Sequence, residues 1–170
     1  LEWVGLRDGL QEVEEYMATH QHDPNATDLW SYYRQVLEWA QSTFPVVRQE
    51  MTSVDWGALY HEHGHSFPDG QELEERVAEL MMDDDVTKKA GIYAYVLDGK
   101  ERHLNIRAFT PAQRREAYER QKGICPVCKE HFALAEMEAD HITPWHEGGK
   151  TVADNCRMLC KEDNRRKGGV

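Results

Sequence analysis

The stretch MEADHITPWHEGGKTVADNCRMLCKEDNRRKGG, from Met137 to Gly169, decides how this chain reads. It holds Asp140 and His141 side by side, a Gly148-Gly149 pair, then Asn155, and finally Asn164 with Lys167 three residues on. Carboxylate and amide oxygens suit a hard divalent cation, and an imidazole beside them can take a proton from water. Adjacent side chains on a strand point to opposite sides, so the pair divides the work. Asp140 is expected to hold a cation, and His141 to deprotonate a water.

Upstream, FTPAQRREAYERQKGICPVC predicts a short helix. Thr110 is its cap, Pro111 its first residue, Ala117 and Tyr118 its inner side and Gly123 its terminator. The helix delivers the chain into Cys125 and Cys128. Further back, residues 91–109 predict a β-hairpin: Ile92, Ala94 and Val96 alternate with Tyr93, Tyr95 and Leu97, Asp98-Gly99 is the turn, and Leu104 and Ile106 return. Residues 1–90 predict a helical domain, from periodic runs at 23–44, 69–82 and, weakened by Gly5 and Gly9, 1–18. In the first run Leu29, Tyr33, Val36, Leu37 and Ala40 share the inner face.

Charge separates the same parts. Residues 1–99 carry six basic and twenty acidic side chains, a balance of −14; residues 100–170 carry fourteen and eleven, a balance of +3. The basic part can approach phosphate, whereas the acidic part is repelled by it or faces another protein. No long apolar run or export leader stands in the sequence, so neither a membrane span nor secretion is expected. Four cysteines, two of them in Cys-x-x-Cys, then read as metal ligands in a reducing cytoplasm. The start at Leu1 reads as a piece of a longer protein.

Residues 120–169 resemble an HNH nuclease domain, the ββα-metal fold, in which two strands and a helix clasp one catalytic cation. The Asp-His pair, the Gly-Gly loop, the middle Asn, the cysteine frame and the trailing Asn-x-x-Lys carry the resemblance. It implies an α+β fold with the nuclease domain at 110–170. Within it His141 is the general base, Asp140 and Asn164 are ligands of a catalytic Mg²⁺ or Mn²⁺, and Asn155 braces the loop and orients His141. This is a His-Asn-Asn variant. The resemblance also implies a structural Zn²⁺ on Cys125, Cys128 and Cys160, with Asp163 in the fourth place. Cys156 competes for that place: it lies roughly 13 Å from Cys160 if the segment is extended, and beside it if helical. The fold runs extended here, which favours Asp163; thiols packed as small apolar groups without zinc are the third reading.

Arg165, Arg166 and Lys167 follow as phosphate contacts, Lys167 first, against the plainer reading of a solvated last helical turn. The implied partner is DNA, with RNA left open, and the implied products are a 5′-phosphate and a 3′-hydroxyl. Each unit cuts one strand, so a double-strand break needs a homodimer or two nicks. The segment ahead, DDDVTKKAGIYAYVL, is similar to that in large bacterial proteins joining an HNH domain to an upstream ParB-like nucleotide-handling domain, which implies restriction or phage defence.

Two other classes compete. One is a catalytically silent zinc-knuckle module that binds DNA or a partner. In the other, the acidic half is a docking or regulatory surface and the nuclease is latent. His61, His63 and His65 could form a metal site on a strand, but a solvent-exposed loop is the plainer reading. Trp3, Trp30, Trp39 and Trp56 read as core before they read as a base-stacking platform. His146 is a phosphate or outer-shell contact or simply a loop histidine, and His131 has only its nearness to the cysteines.

Overall fold

The computed structural model describes residues 1–10, 12–66 and 70–168. The chain divides into two compact units, Leu1–Asn105 and Ile106–Val170. The first is helical: α1 (Glu2–Arg7), α2 (Val13–His20), α3 (Thr27–Thr43), α4 (Trp56–His63), α5 (Gly70–Met82) and α6 (Ile92–Asp98). Gly9, at φ 73°, splits the opening run into α1 and α2. In α3 the buried face is Tyr32, Val36, Trp39, Ala40 and Thr43, so Tyr33, placed inside by the periodicity, is exposed. On α5 the inner face is Leu73, Val77 and Leu80.

The expected hairpin at 91–109 is corrected by the structure. Residues 92–98 form α6, Gly99 caps it in the left-handed conformation with its N–H on the Tyr95 carbonyl, and Glu101–His103 is a 3-10 turn. Ile92 and Tyr93, adjacent in sequence, are both fully buried, and the Tyr93 ring meets Phe44 and Trp56 at 5.1 and 5.4 Å. Burying such side chains contributes about 1.5–3 kcal/mol each, against about 1 kcal/mol for the whole spread of strand propensity. Packing therefore overrides the β-branched and aromatic character of the run. Leu104, expected as a returning strand residue, is buried, and its carbonyl accepts the Lys88 N–H. Residues 91–105 thus belong to the helical unit.

The second unit contains α7 (Pro111–Gln121), β1 (Met137–His141), β2 (Cys156–Cys160) and α8 (Lys161–Gly168). Thr110 and Gln113 form a reciprocal capping box on α7, and Lys122 and Gly123, both at positive φ, end it. The strands pair antiparallel with Asp140 opposite Arg157 and His141 opposite Cys156. Met137, Cys156, Met158, Leu159 and Cys160 form the core with Phe109, Ala117 and Cys125. The Gln121 amide donates to the Met158 carbonyl and accepts its N–H, so α7 closes the outer edge of β2.

Candidate active site and metal centre

The knuckle begins where α7 ends. An isolated bridge pairs Ile124 with His131, and the turn between them closes through the Lys129 N–H on the Cys125 carbonyl. Lys129 adopts φ 67° to make this turn. Cys160 ends β2 and Asp163 lies in the first turn of α8. These segments bring together Cys125, Cys128, Cys160 and Asp163, each offering one ligand atom, all within 4.8 Å of one another. Cys125, Cys160 and Asp163 are buried and Cys128 is exposed. Asp163 Oδ2 accepts from the Cys125 and Cys160 thiols at 3.2 and 3.1 Å.

The electrostatics of this cluster suit a cation. Burial raises the Cys125 pKa, but N–H groups of Cys160, Cys128 and Val127 outweigh it, and the thiol falls below its ordinary value. The Cys160 and Cys125 thiols hold the Asp163 carboxyl below the usual range. Cys128 has the Glu130 N–H in its favour, yet desolvation and its acidic neighbours push it up to about 12. Three thiols and a carboxylate this close repel one another when ionised, and a divalent ion removes that repulsion. Cys156, the alternative fourth donor, stands at the other end of β2, fully buried in the apolar core. The extended conformation of CRMLC is the reason, since it carries the two thiols apart.

On one face of the sheet stand Glu138, Asp140, Arg157 and Leu159, and the polar side chains of α8 meet it. Arg157 donates to Asp140 Oδ2 through Nε at 2.8 Å, and Lys167 Nζ lies 2.8 Å from both carboxylate oxygens. Asp140 Oδ1 is the less crowded oxygen and has lone-pair capacity for a cation. One helical turn before Lys167, Asn164 Nδ2 donates to Glu138 Oε2 at 2.7 Å. Asp140 and the Asn164 partner Glu138 thus stand on the same face of β1. Arg166 pairs with Glu162 and lies 3.8 Å from Asp163, and Arg165 is exposed.

His141 takes the other face. Its Nε2 lies 3.1 Å from the Thr151 hydroxyl, and its ring packs on Phe109 at 4.4 Å. Thr151 is 1% exposed, and its carbonyl accepts from Gln113 at 3.1 Å. Asn155 braces the connection between the strands: Oδ1 accepts the Thr143 N–H, and Nδ2 donates to the Thr143 and Lys150 carbonyls at 3.0 and 2.9 Å. At Gly149 a Cβ would lie 1.9 Å from the Thr143 carbonyl oxygen, so this crossing needs glycine.

Among residues left aside by sequence, His61 and His63 form the last turn of α4 rather than a loop, and Phe67 to Asp69 lie outside the described residues. Trp39 and Trp56 are core, whereas Trp30 is 59% exposed and stacks on Tyr33, as does Trp3. His146 lies 3.7 Å from Glu147. Glu138, Thr151 and Arg157 were not legible as site residues; only the alternation that sets Glu138 and Asp140 on one strand face could have pointed to the first.

Two antiparallel strands followed by a helix, with a Cys-rich cluster able to hold a metal ion, define the ββα class of small metal-dependent domains. The family model for HNH endonuclease matches residues 125–169, and this part of the chain is an HNH endonuclease domain. Such a domain implies a function of the nuclease type; HNH nucleases act on DNA and use divalent metals. No curated protein and no solved structure matches the chain. No helix among the described residues is long and apolar enough to cross a membrane.

Proposed function

We propose that the chain is a metal-dependent DNA endonuclease in which His141 is the general base, Asp140 and Asn164 hold a catalytic Mg²⁺ or Mn²⁺, and Cys125, Cys128, Cys160 and Asp163 hold a structural Zn²⁺. The observation that supports this reading is the docking of α8 on the face of β1 that carries Asp140, through Lys167 on Asp140 and Asn164 on Glu138, inside a matched HNH domain. Asp140 and Asn164 both offer hard oxygens, as Mg²⁺ and Mn²⁺ require. When bound, the cation supplies charge stabilisation at the scissile phosphate and its leaving oxygen.

The chain's own groups do the rest. His141 accepts the proton of the attacking water on its imidazole. Phe109 and Thr151 limit the ring's orientations, so less freedom is lost in reaching a productive geometry. Asn155 keeps the Thr143–Lys150 loop closed behind the base. Lys167, beside Asp140, and Arg165 and Arg166, further round α8, contact the phosphates flanking the cut, which position the substrate without reading its sequence. The products carry a 5′-phosphate and a 3′-hydroxyl, and a double-strand break takes two copies or two cuts. The segment before α7 supports a setting in restriction or phage defence, downstream of a ParB-like nucleotide-handling domain.

An end-labelled duplex incubated with Mn²⁺ tests this reading. Fragments ending in 5′-phosphate and 3′-hydroxyl, absent with His141→Ala, are expected. Intact duplex with the wild-type chain in Mg²⁺ and Mn²⁺ alike would favour the silent zinc-knuckle module instead.

A further inference from the structure

Asn164 presents a difficulty that a carboxylate ligand would not. A primary amide has two chemically different ends, and a half-turn about its last bond replaces the ligating oxygen with an NH₂ group, which carries no lone pair for a cation. The rotation is a soft, roughly two-fold torsion, so something must choose the end. In this chain the choice is made by Glu138. Its Oε2 lies 2.7 Å from Asn164 Nδ2, 26 residues away in sequence. An ionised carboxylate only accepts hydrogen bonds, so it binds the NH₂ end and turns Oδ1 away from itself.

The strand geometry gives that end a destination. Glu138 and Asp140 are two apart on β1 and stand on one face, while Asn164 and Lys167 are three apart on α8 and face it. Lys167 reaches Asp140 just as Asn164 reaches Glu138, so the two pairs lock the helix against the strand in one register. We propose that Glu138 is a positioning residue: it fixes the Asn164 amide so that Oδ1 is offered beside Asp140, without itself contacting the cation. The inference rests on the nuclease reading above. Outer-shell partners of this kind typically contribute about 10–100-fold in metal affinity.

The test is Mn²⁺ affinity of the zinc-loaded chain, read by electron paramagnetic resonance of the free ion, together with the Asn164 side-chain amide signals of the same chain without Mn²⁺. Glu138→Ala is expected to weaken Mn²⁺ about tenfold or more and to move the Asn164 amide protons upfield. Glu138→Gln keeps an oxygen acceptor and is expected to restore most of the affinity. In an Asn164→Asp background, where both ends of the side chain are ligating oxygens and neither needs selecting, Glu138→Ala is expected to cause no loss of affinity. A loss with Glu138→Gln as large as with alanine, or one that persists in the aspartate background, would overturn the inference, since either marks a simple electrostatic effect. Unmoved amide signals in Glu138→Ala would overturn the hydrogen bond itself. Failure of the nuclease reading looks different: the wild-type chain would show no Mn²⁺ site sensitive to Asp140→Ala, and the inference would fall with it.

Discussion

Asp163 stands where a fourth thiolate would complete a Cys₄ knuckle, and its burial beside Cys125 and Cys160 makes it the residue whose exchange is most informative. Asp163→Cys is expected to tighten zinc against a competing chelator, because Zn²⁺ favours thiolate over carboxylate, whereas Asp163→Ala is expected to weaken it by at least tenfold. A chelator titration followed by a zinc dye measures both. Asn155 gives a second residue-scale prediction. Asn155→Ala removes three hydrogen bonds from the Thr143–Lys150 loop, at a cost of about 1–3 kcal/mol visible as a lower denaturation midpoint. Activity should fall further than stability, because Thr151, the partner of His141, directly follows this loop. Asp140, His141, Asn155 and Asn164 stand out as candidates in the sequence because each belongs to a short, ordered pattern. Glu138 could not: it gains its meaning from Asn164, and only the docking of α8 brings the two together.

At the scale of elements, α6 shows where sequence periodicity ceases to decide. Six apolar residues in a row, Ile92 to Leu97, satisfy a strand and a helix equally, and a left-handed Gly99 serves a hairpin turn or a helix cap. The outcome is set by Phe44 and Trp56, distant partners of Tyr93 that no local pattern announces. Thr110 and Pro111, in contrast, fix the start of α7 by local chemistry alone, and the capping box forms as the sequence predicts. The C-terminal end of α6 carries a pH signature. Burial disfavours charge on Asp98, yet the Lys100 N–H, His103 and the Lys100 ammonium outweigh it, and the pKa falls from 3.8 to about 2. A carboxyl more acidic when folded than unfolded stabilises above its unfolded pKa and loses that contribution as pH falls from about 4 toward 2. Asp98→Asn should therefore destabilise the chain at pH 7 and have little effect near pH 2, as thermal melts at the two pH values would show.

The whole molecule joins two units built on different principles. Residues 1–105 have a helical core with aromatic clusters, while residues 106–170 have a small apolar core and beside it a cluster that could hold a metal ion. A unit of that size buries little, so much of its stability is expected to come from the bound ion. Chelation should accordingly unfold the second unit and leave the helical signal of the first, which differential scanning calorimetry would resolve as the loss of one of two transitions. The charge division, −14 over 1–99 and +3 over 100–170, leaves DNA contact to the second unit. The most direct measurement is nicking of supercoiled plasmid by the zinc-loaded chain in Mg²⁺, Mn²⁺ or excess EDTA, beside Asp140→Ala and His141→Ala. Open circles should accumulate with either cation and vanish with EDTA, and each substitution should slow nicking by about 10²–10⁴-fold. Nicking that proceeds unchanged in EDTA, or in either substituted chain, would contradict the site at Asp140, His141 and Asn164.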